Sequence, residues 1–331
     1  MKKVVVTDPD VWPWLRERDD ERFSFVFIDY SQMAAVKEAL STAWAYVGVF
    51  LDESLARSVG SNFQVAQITA AGTEHIAIGS LPPGITVANA AGHGRSIAEH
   101  VLMVLLAARR QLLRVDSGLR AGLWANKIVA PEAAPAFRTL DDSTVGIVGF
   151  GHIGRSIAKL CQAVGLRVIA VSRSARPGDP DAEWVAGMDR LPELLEHSDT
   201  IVLACPLTEE TRGLIGRQEL ERLGSNGVLI NVARGAVVDE KALFDALRDR
   251  VIASAAIDVW YKPVSSEPVS APSTLPFGTL ENIVMTPHYS ATAADTYRER
   301  AKDVLETLTE AIEGRSISRA VALSGTGAQN G

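Results

Sequence analysis

The chain has 331 residues, 47% of them hydrophobic and 22% charged, with a formal net charge of −7. This composition suits one or two soluble domains with a sizeable core, and an acidic balance without a basic run argues against a nucleic-acid partner. The two cysteines, Cys161 and Cys205, have no metal-ligand spacing and read as packed thiols of a reducing compartment.

The start, Met1-Lys2-Lys3, resembles a secretory leader for three residues only, because Asp8 and Asp10 interrupt the apolar run. It reads instead as a first strand, Lys3–Val6. Further strands are expected at Ser24–Ile28, Ala45–Val49, Val65–Ile68 and Thr86–Val87, with helices at Ala34–Leu40 and Asp52–Val59. Alternation of strand and helix implies a parallel sheet with helices on its faces. One long helix is expected from Ser96 to about Leu113. Its apolar stretch, Ile97–Ala108, is too short to span a bilayer, and a cytoplasmic protein is expected.

Residues 145–154 read Val-Gly-Ile-Val-Gly-Phe-Gly-His-Ile-Gly, an apolar strand running into a glycine-rich turn and then a helical segment. Gly149 permits the tight turn, Gly151 a close backbone approach to a pyrophosphate, and Gly154 close packing of helix on strand. Phosphates are favoured at the helix start, where N–H groups are free and the dipole is positive. An NAD-specific site usually carries an acid about 20 residues on. Here the second strand ends in Ser172-Arg173-Ser174, and Ser172 stands 18 residues after Gly154. A guanidinium beside two hydroxyls suits a 2′-phosphate, so NADP(H) is expected in preference to NAD(H). The plainer alternative makes Arg173 a solvated surface charge.

Six parallel strands are expected, near 145–149, 167–171, 200–204, 227–231, 252–257 and 282–285. Helices near 153–164, 191–196, 217–222 and 240–248 separate most of them. The helix Ala294–Glu313 has no place in that sheet and is expected to return to the first domain. The small, polar tail Ser324–Gly331 is expected to be disordered. The fold class is thus α/β with two Rossmann-like or flavodoxin-like domains. A doubly wound dinucleotide-binding domain, 96–289, is inserted into a discontinuous substrate domain, 1–95 plus 290–331. A cleft between two domains is the expected place for a substrate.

Three residues follow strands of the second domain. Arg234 can clamp a carboxylate and polarise a carbonyl, or form an ion pair with Asp239 or Glu240. His288, in Thr286-Pro287-His288, can supply a proton near neutral pH, or be a structural histidine. Asp258 can stand near the nicotinamide carboxamide, or act as a cap or turn.

Together these segments resemble the D-2-hydroxyacid dehydrogenase family over roughly residues 65–315. The resemblance rests on Ala71-Gly72-Thr73-Glu74-His75-Ile76, Ile97-Ala98-Glu99-His100, the glycine-rich turn and Cys205-Pro206-Leu207-Thr208-Glu209-Glu210-Thr211. It also rests on the Arg234 segment, Asp258 and Pro287-His288. It implies hydride exchange between NAD(P)H and a small 2-oxo acid, of the glyoxylate/hydroxypyruvate reductase type. Arg234 would bind the substrate carboxylate and carbonyl oxygen, and His288 would be the general acid and base. The backbone at Ala71 and Gly72, with His93, would complete the substrate site. The cofactor residues implied are Gly149, Gly151, His152, Ile153, Ser172, Arg173, Ser174, Cys205, Pro206, Thr211, Val232, Ala233, Asp258 and His288. A homodimer through the nucleotide domain is implied as well, and no metal.

One departure concerns the glutamate that the family usually pairs with the histidine. Five residues after Asp258 this chain has Pro263, and the interval from Asp258 to His288, 30 residues, exceeds the family pattern. Either Glu267 takes the role, or the partner is lost. Ser96-Ile97-Ala98-Glu99-His100 and Asp258-Val259-Trp260 also look like formate dehydrogenases, although His93 stands where that branch has an asparagine. A nucleotide-sensing, non-catalytic protein is the remaining alternative.

Overall fold

The computed structural model describes residues 1–17, 20–73, 75–124, 139–176, 178–262 and 271–325. Glu267 lies outside the described residues, so its candidate role gains no structural account. The chain divides into two compact units, Met1–His93 with Thr292–Gly331, and Gly94–Ala291.

The first unit runs β1 (Lys2–Val6), α1 (Trp12–Arg16), β2 (Phe23–Phe27), α2 (Met33–Leu40), β3 (Ala45–Gly48), α3 (Glu53–Ala56), β4 (Val65–Ile68) and β5 (Thr86–Ala88). The second unit runs α4 (Gly94–Arg109), α5 (Leu112–Arg120), β6 (Thr144–Val148), α6 (His152–Ala163), β7 (Arg167–Val171) and β8 (Trp184–Ala186). It continues through α7 (Leu191–Glu196), β9 (Thr200–Leu203), α8 (Arg217–Leu223), β10 (Val228–Asn231), α9 (Glu240–Arg248), β11 (Ser254–Ile257) and β12 (Ile283–Met285). The first unit then resumes with α10 (Ala294–Ile312) and β13 (Ala320–Leu323).

In the first unit the strand order is β13-β5-β4-β3-β1-β2. All pairings are parallel except that of β13 with β5. Val4, Val5 and Val6 are all fully buried, so this stretch of the strand is apolar at consecutive positions rather than alternately. Val4 and Val6 pack with Ala301, Val304 and Leu308 of α10 on one face. Val5 packs with Leu40, Tyr46 and Leu55 on the other. Asp52 caps α3 by accepting from Leu55 N at 2.9 Å, and the helix stops at Ala56, shorter than expected.

The second unit holds seven parallel strands in the order β12-β11-β10-β9-β6-β7-β8. The expected six are present, and β8 adds a short seventh beside β7. The sheet turns outward in both directions from the β6–β9 pair, the topological switch point at which open α/β sheets bind ligands.

Two further expectations are corrected. The single helix 96–113 is two helices, because Gln111 takes a left-handed φ of 50° and ends the first. The expected disordered tail is ordered at its start. Ser324 is buried, its N–H bonds Ile85 O at 2.9 Å, and its Oγ accepts from Ile85 N at 2.8 Å. Among the described residues no helix is long and apolar enough to cross a membrane.

Candidate active site

The glycine-rich turn joins β6 to α6 at the carboxyl edge of the second sheet. Gly149 has a φ of 98°, and a Cβ there would lie 2.6 Å from Cys205 N. A Cβ on Gly154 would lie 2.2 Å from Gly149 O. Both positions therefore require glycine, one for conformation and one for close packing. Gly151 differs: nothing lies within 4 Å of where its Cβ would be. The space before it is open, at the N-cap of a 12-residue helix whose first N–H groups are free of helical partners. His152 and Ile153 form the first turn of that helix.

The neighbouring strand ends carry the other nucleotide candidates. Ser172 follows β7 and is buried; its N–H bonds Ala186 O at 2.9 Å and its Oγ accepts from Ser174 N at 3.3 Å. Arg173 and Ser174 are exposed beside it, and no acid stands at this strand end. Cys205 and Pro206 follow β9. Thr211 closes that loop by donating from Oγ1 to Pro206 O at 2.7 Å, while the same oxygen accepts from Thr208 N at 2.7 Å. Burial pushes the Cys205 thiol up to about 11 and the Cys161 thiol up to about 12, so both stay protonated at neutral pH.

On the far side of the switch point, strand register brings three chemical groups to the same edge. Asn231, Ile257 and Met285 are successive partners across β10, β11 and β12. Arg234 and His288 each follow their strand by three residues, and Asp258 follows its strand directly. Val232, Ala233 and Arg234 form a turn held by Asn231, whose Oδ1 accepts from Ala233 N and whose Nδ2 donates to Arg234 O, both at 3.0 Å. Asn231 was not among the expected site residues. The signal for it was present, since Asn at a strand end is a turn-forming residue. Gly235 follows because a Cβ would meet Trp260 O at 2.3 Å.

Asp258 is 1% exposed. Its Oδ1 accepts from Thr286 Oγ1 at 2.6 Å and from Tyr289 N at 3.1 Å, and its Oδ2 accepts from Ser290 N at 3.1 Å. Burial pushes its carboxyl up, but the bonds from Ser290, Thr286 and Tyr289 outweigh burial and hold it below the usual range. His288 sits in the turn so held. It is exposed and has a φ of 57°, in the left-handed region. His100 of α4 meets the Tyr289 ring edge to face at 5.3 Å. Burial pushes its pKa down against an opposing pull from Asp258. Trp260 and Tyr261 pack against Phe277.

In the first unit, Ala71 and Gly72 lie in the loop after β4. Asn89 Nδ2 donates to Ala71 O at 2.7 Å, which ties that loop to the segment after β5. His93 ends this segment and is buried. Just before it, Ala91 N and Gly92 N both donate to Asp303 Oδ2, at 2.7 and 2.9 Å.

A parallel sheet that gathers a glycine-rich helix start, an arginine and a histidine at one edge defines a Rossmann-like nucleotide-binding fold. The sequence profile of the D-isomer specific 2-hydroxyacid dehydrogenase NAD-binding domain matches residues 102–290, more than half of the chain, and the chain belongs to that family. It is 36% identical over 193 residues to the glyoxylate reductase of Thermococcus gammatolerans, a span of 58% of this chain and 55% of that protein. It is 32% identical over 234 residues to the glycerate dehydrogenase of Methylorubrum extorquens, 70% of each. Its structure matches the NADPH-dependent glyoxylate/hydroxypyruvate reductase of Sinorhizobium meliloti in complex with NADP and malonate. That match has a TM-score of 0.73, 26% identity and covers 97% of each chain.

Proposed function

We propose that the protein is an NADPH-dependent reductase that interconverts a small 2-oxo acid and its D-2-hydroxy acid. The observation that carries this reading is the shared sheet edge, where the turn at Gly149–Gly154, Arg234 and His288 follow strands of one register. The names of the relatives, glyoxylate reductase and glycerate dehydrogenase, support the substrate class.

The residues present suit a dinucleotide. The open space at Gly151 and the start of α6 accept a pyrophosphate, with Cys205, Pro206, Thr211, Val232 and Ala233 on the neighbouring strand ends. NADPH bound there would supply the hydride. Ser172, Arg173 and Ser174 carry the preference for a 2′-phosphate: they offer donors and positive charge where an acid would bond a 2′-hydroxyl.

Arg234 offers two parallel N–H donors to the substrate carboxylate and carbonyl oxygen, which withdraws electrons from the carbonyl carbon. As hydride adds to that carbon, the C=O electron pair moves to oxygen, and His288 donates the proton that completes the hydroxyl. Oxidation runs the same steps backward, with His288 as base. Ala71, Gly72 and His93 are the proposed substrate-binding residues of the first unit. Kinetics of two variants test the assignment. His288→Gln should lower kcat at least a hundredfold while NADPH still binds, and Arg234→Lys should raise the KM for the acid at least tenfold. Retained kcat in the first variant would remove His288 from the reaction.

We also propose a homodimer through the second unit. Met103, Leu106, Leu112, Leu113 and Leu119 of α4 and α5 are 38% to 54% exposed, an apolar surface of the kind that a partner copy covers. Sedimentation should give twice the chain mass, and Leu106→Glu should give a monomer; a wild-type monomer would remove the proposal.

A further inference from the structure

We infer that the ion pair between Arg155 and Asp179 is a strap that fixes the loop after β7 against the glycine-rich turn, which makes Asp179 a positioning residue for recognition of the 2′-phosphate of NADPH. The inference rests on the preference for NADPH proposed above, with Arg173 at the 2′-phosphate.

The loop needs a tie. Between β7 and β8 the described residues form no helix or strand, and Arg173 and Ser174 are exposed there. A long cationic side chain on an irregular loop loses conformational freedom when it grips a phosphate, and a loop already held in place lowers that cost. Helix α6 supplies the tie. Arg155 stands directly after Gly154, and its Nη1 lies 2.5 Å from Asp179 Oδ2 and 3.6 Å from Asp181 Oδ2. Lys159, one turn further along α6, stands 3.7 Å from the same Asp181 oxygen. Both loop acids therefore face α6. The Asp179 side chain is 5% exposed. Its other oxygen, Oδ1, accepts from Asp181 N at 3.2 Å, so the carboxylate is engaged at both ends. The bond from Arg155 holds this carboxyl below the usual range.

Arg155 also reaches the glycine-rich turn. Its guanidinium lies over the Phe150 ring, 4.9 Å from the centroid. Phe150 stands between Gly149 and Gly151 and is buried. One side chain thus touches both the turn proposed for the pyrophosphate and the loop proposed for the 2′-phosphate. Packing follows the same line: Ala175 and Ala182 of the loop join the cluster that holds Ile157, Ala158 and Cys161 of α6. The pyrophosphate and the 2′-phosphate of one NADPH molecule are joined covalently through the adenosine ribose. Two protein segments held at a set separation therefore favour the cofactor that carries both groups, while NADH makes no demand on the second of them.

The test is Asp179→Ala, read as kcat/KM for NADPH and for NADH on the intact protein. The strap predicts a fall of about fivefold with NADPH and a value within about twofold of wild type with NADH. Charge alone predicts the opposite sign, because removal of an acid near a phosphate raises its affinity. A rise with NADPH, or an unchanged ratio, would therefore overturn the inference. Equal losses with both cofactors would overturn it too, since the pair would then support the domain as a whole. Asp179→Asn, which keeps the shape and removes the charge, should move the ratio in the same direction by less. Asp179→Glu, which keeps a carboxylate for Arg155, should restore most of it. In an Arg173→Ala background, Asp179→Ala should leave the ratio within about twofold, because the strap acts through the residue already removed. A further fivefold fall there would overturn that route. Wild-type protein that uses NADH as well as NADPH would refute the proposed cofactor preference, and with it the inference, before any variant is made.

Discussion

Replacing Arg173 by alanine separates a phosphate ligand from a surface charge. Arg173 is exposed two residues after Val171, the last residue of β7, beside a buried Ser172 that is already bonded to Ser174 N. The strand end is held by Ser172, whose N–H also bonds Ala186 O, and the substitution removes the guanidinium. A hydrogen bond to a charged group contributes about 1.5–3 kcal/mol. Because Arg173 is exposed, solvent screens the pairing and the lower end applies, about 1.5 kcal/mol, or roughly tenfold in affinity. The assay is kcat/KM for NADPH and for NADH, measured at low and at high salt. The ratio should fall roughly tenfold in Arg173→Ala, all of it through NADPH, and the wild-type ratio should itself shrink as salt is raised. An unchanged ratio, or equal losses with both cofactors, would refute the assignment of Arg173 to the 2′-phosphate.

Other predictions rest on packing and burial. Gly154→Ala sets a Cβ against the Gly149 carbonyl oxygen and should lower stability by about 1–3 kcal/mol, seen as a lower urea midpoint; an unshifted midpoint would mean that α6 yields freely. Cys161 and Cys205 are buried with raised thiol pKa values, so neither should react with an aromatic disulfide reagent at pH 8 until the protein unfolds. His100 has a folded pKa lowered by burial. Its neutral form is therefore the one the fold accepts, and its contribution to stability is present above the unfolded value near 6.5 and lost as pH falls toward the folded pKa. Urea midpoints at pH 7.5 and pH 5.5 should differ less in His100→Phe than in wild type; an equal difference would assign the acid limb to other groups.

Much of this architecture is legible in sequence because its signals are local. The strands of both sheets are short apolar runs between turn residues, and the glycine-rich turn carries its own context. Other features are set by distant residues. Strands β8 and β13 are three and four residues long, and their pairing partners, β7 and β5, define them more than their own composition does. The break between α4 and α5 is hidden because apolar residues continue through Leu112 and Leu113, so periodicity runs past the left-handed Gln111. At the site, residue types at strand ends mark Arg234, Asp258 and His288. The bonds that give Asp258 its place span 28 to 32 residues. No local pattern announces them, and for that reason the residues alone offer both a cofactor contact and a cap or turn at Asp258, and only the family resemblance points to the cofactor.

The most direct test of the central claim follows the absorbance of the reduced nicotinamide with purified protein. NADPH and NADH are each tried against glyoxylate, hydroxypyruvate, pyruvate and phenylpyruvate. The account predicts rapid oxidation of NADPH, and much slower oxidation of NADH, with at least one of these acids. Tight binding of NADPH without turnover of any of them would contradict it.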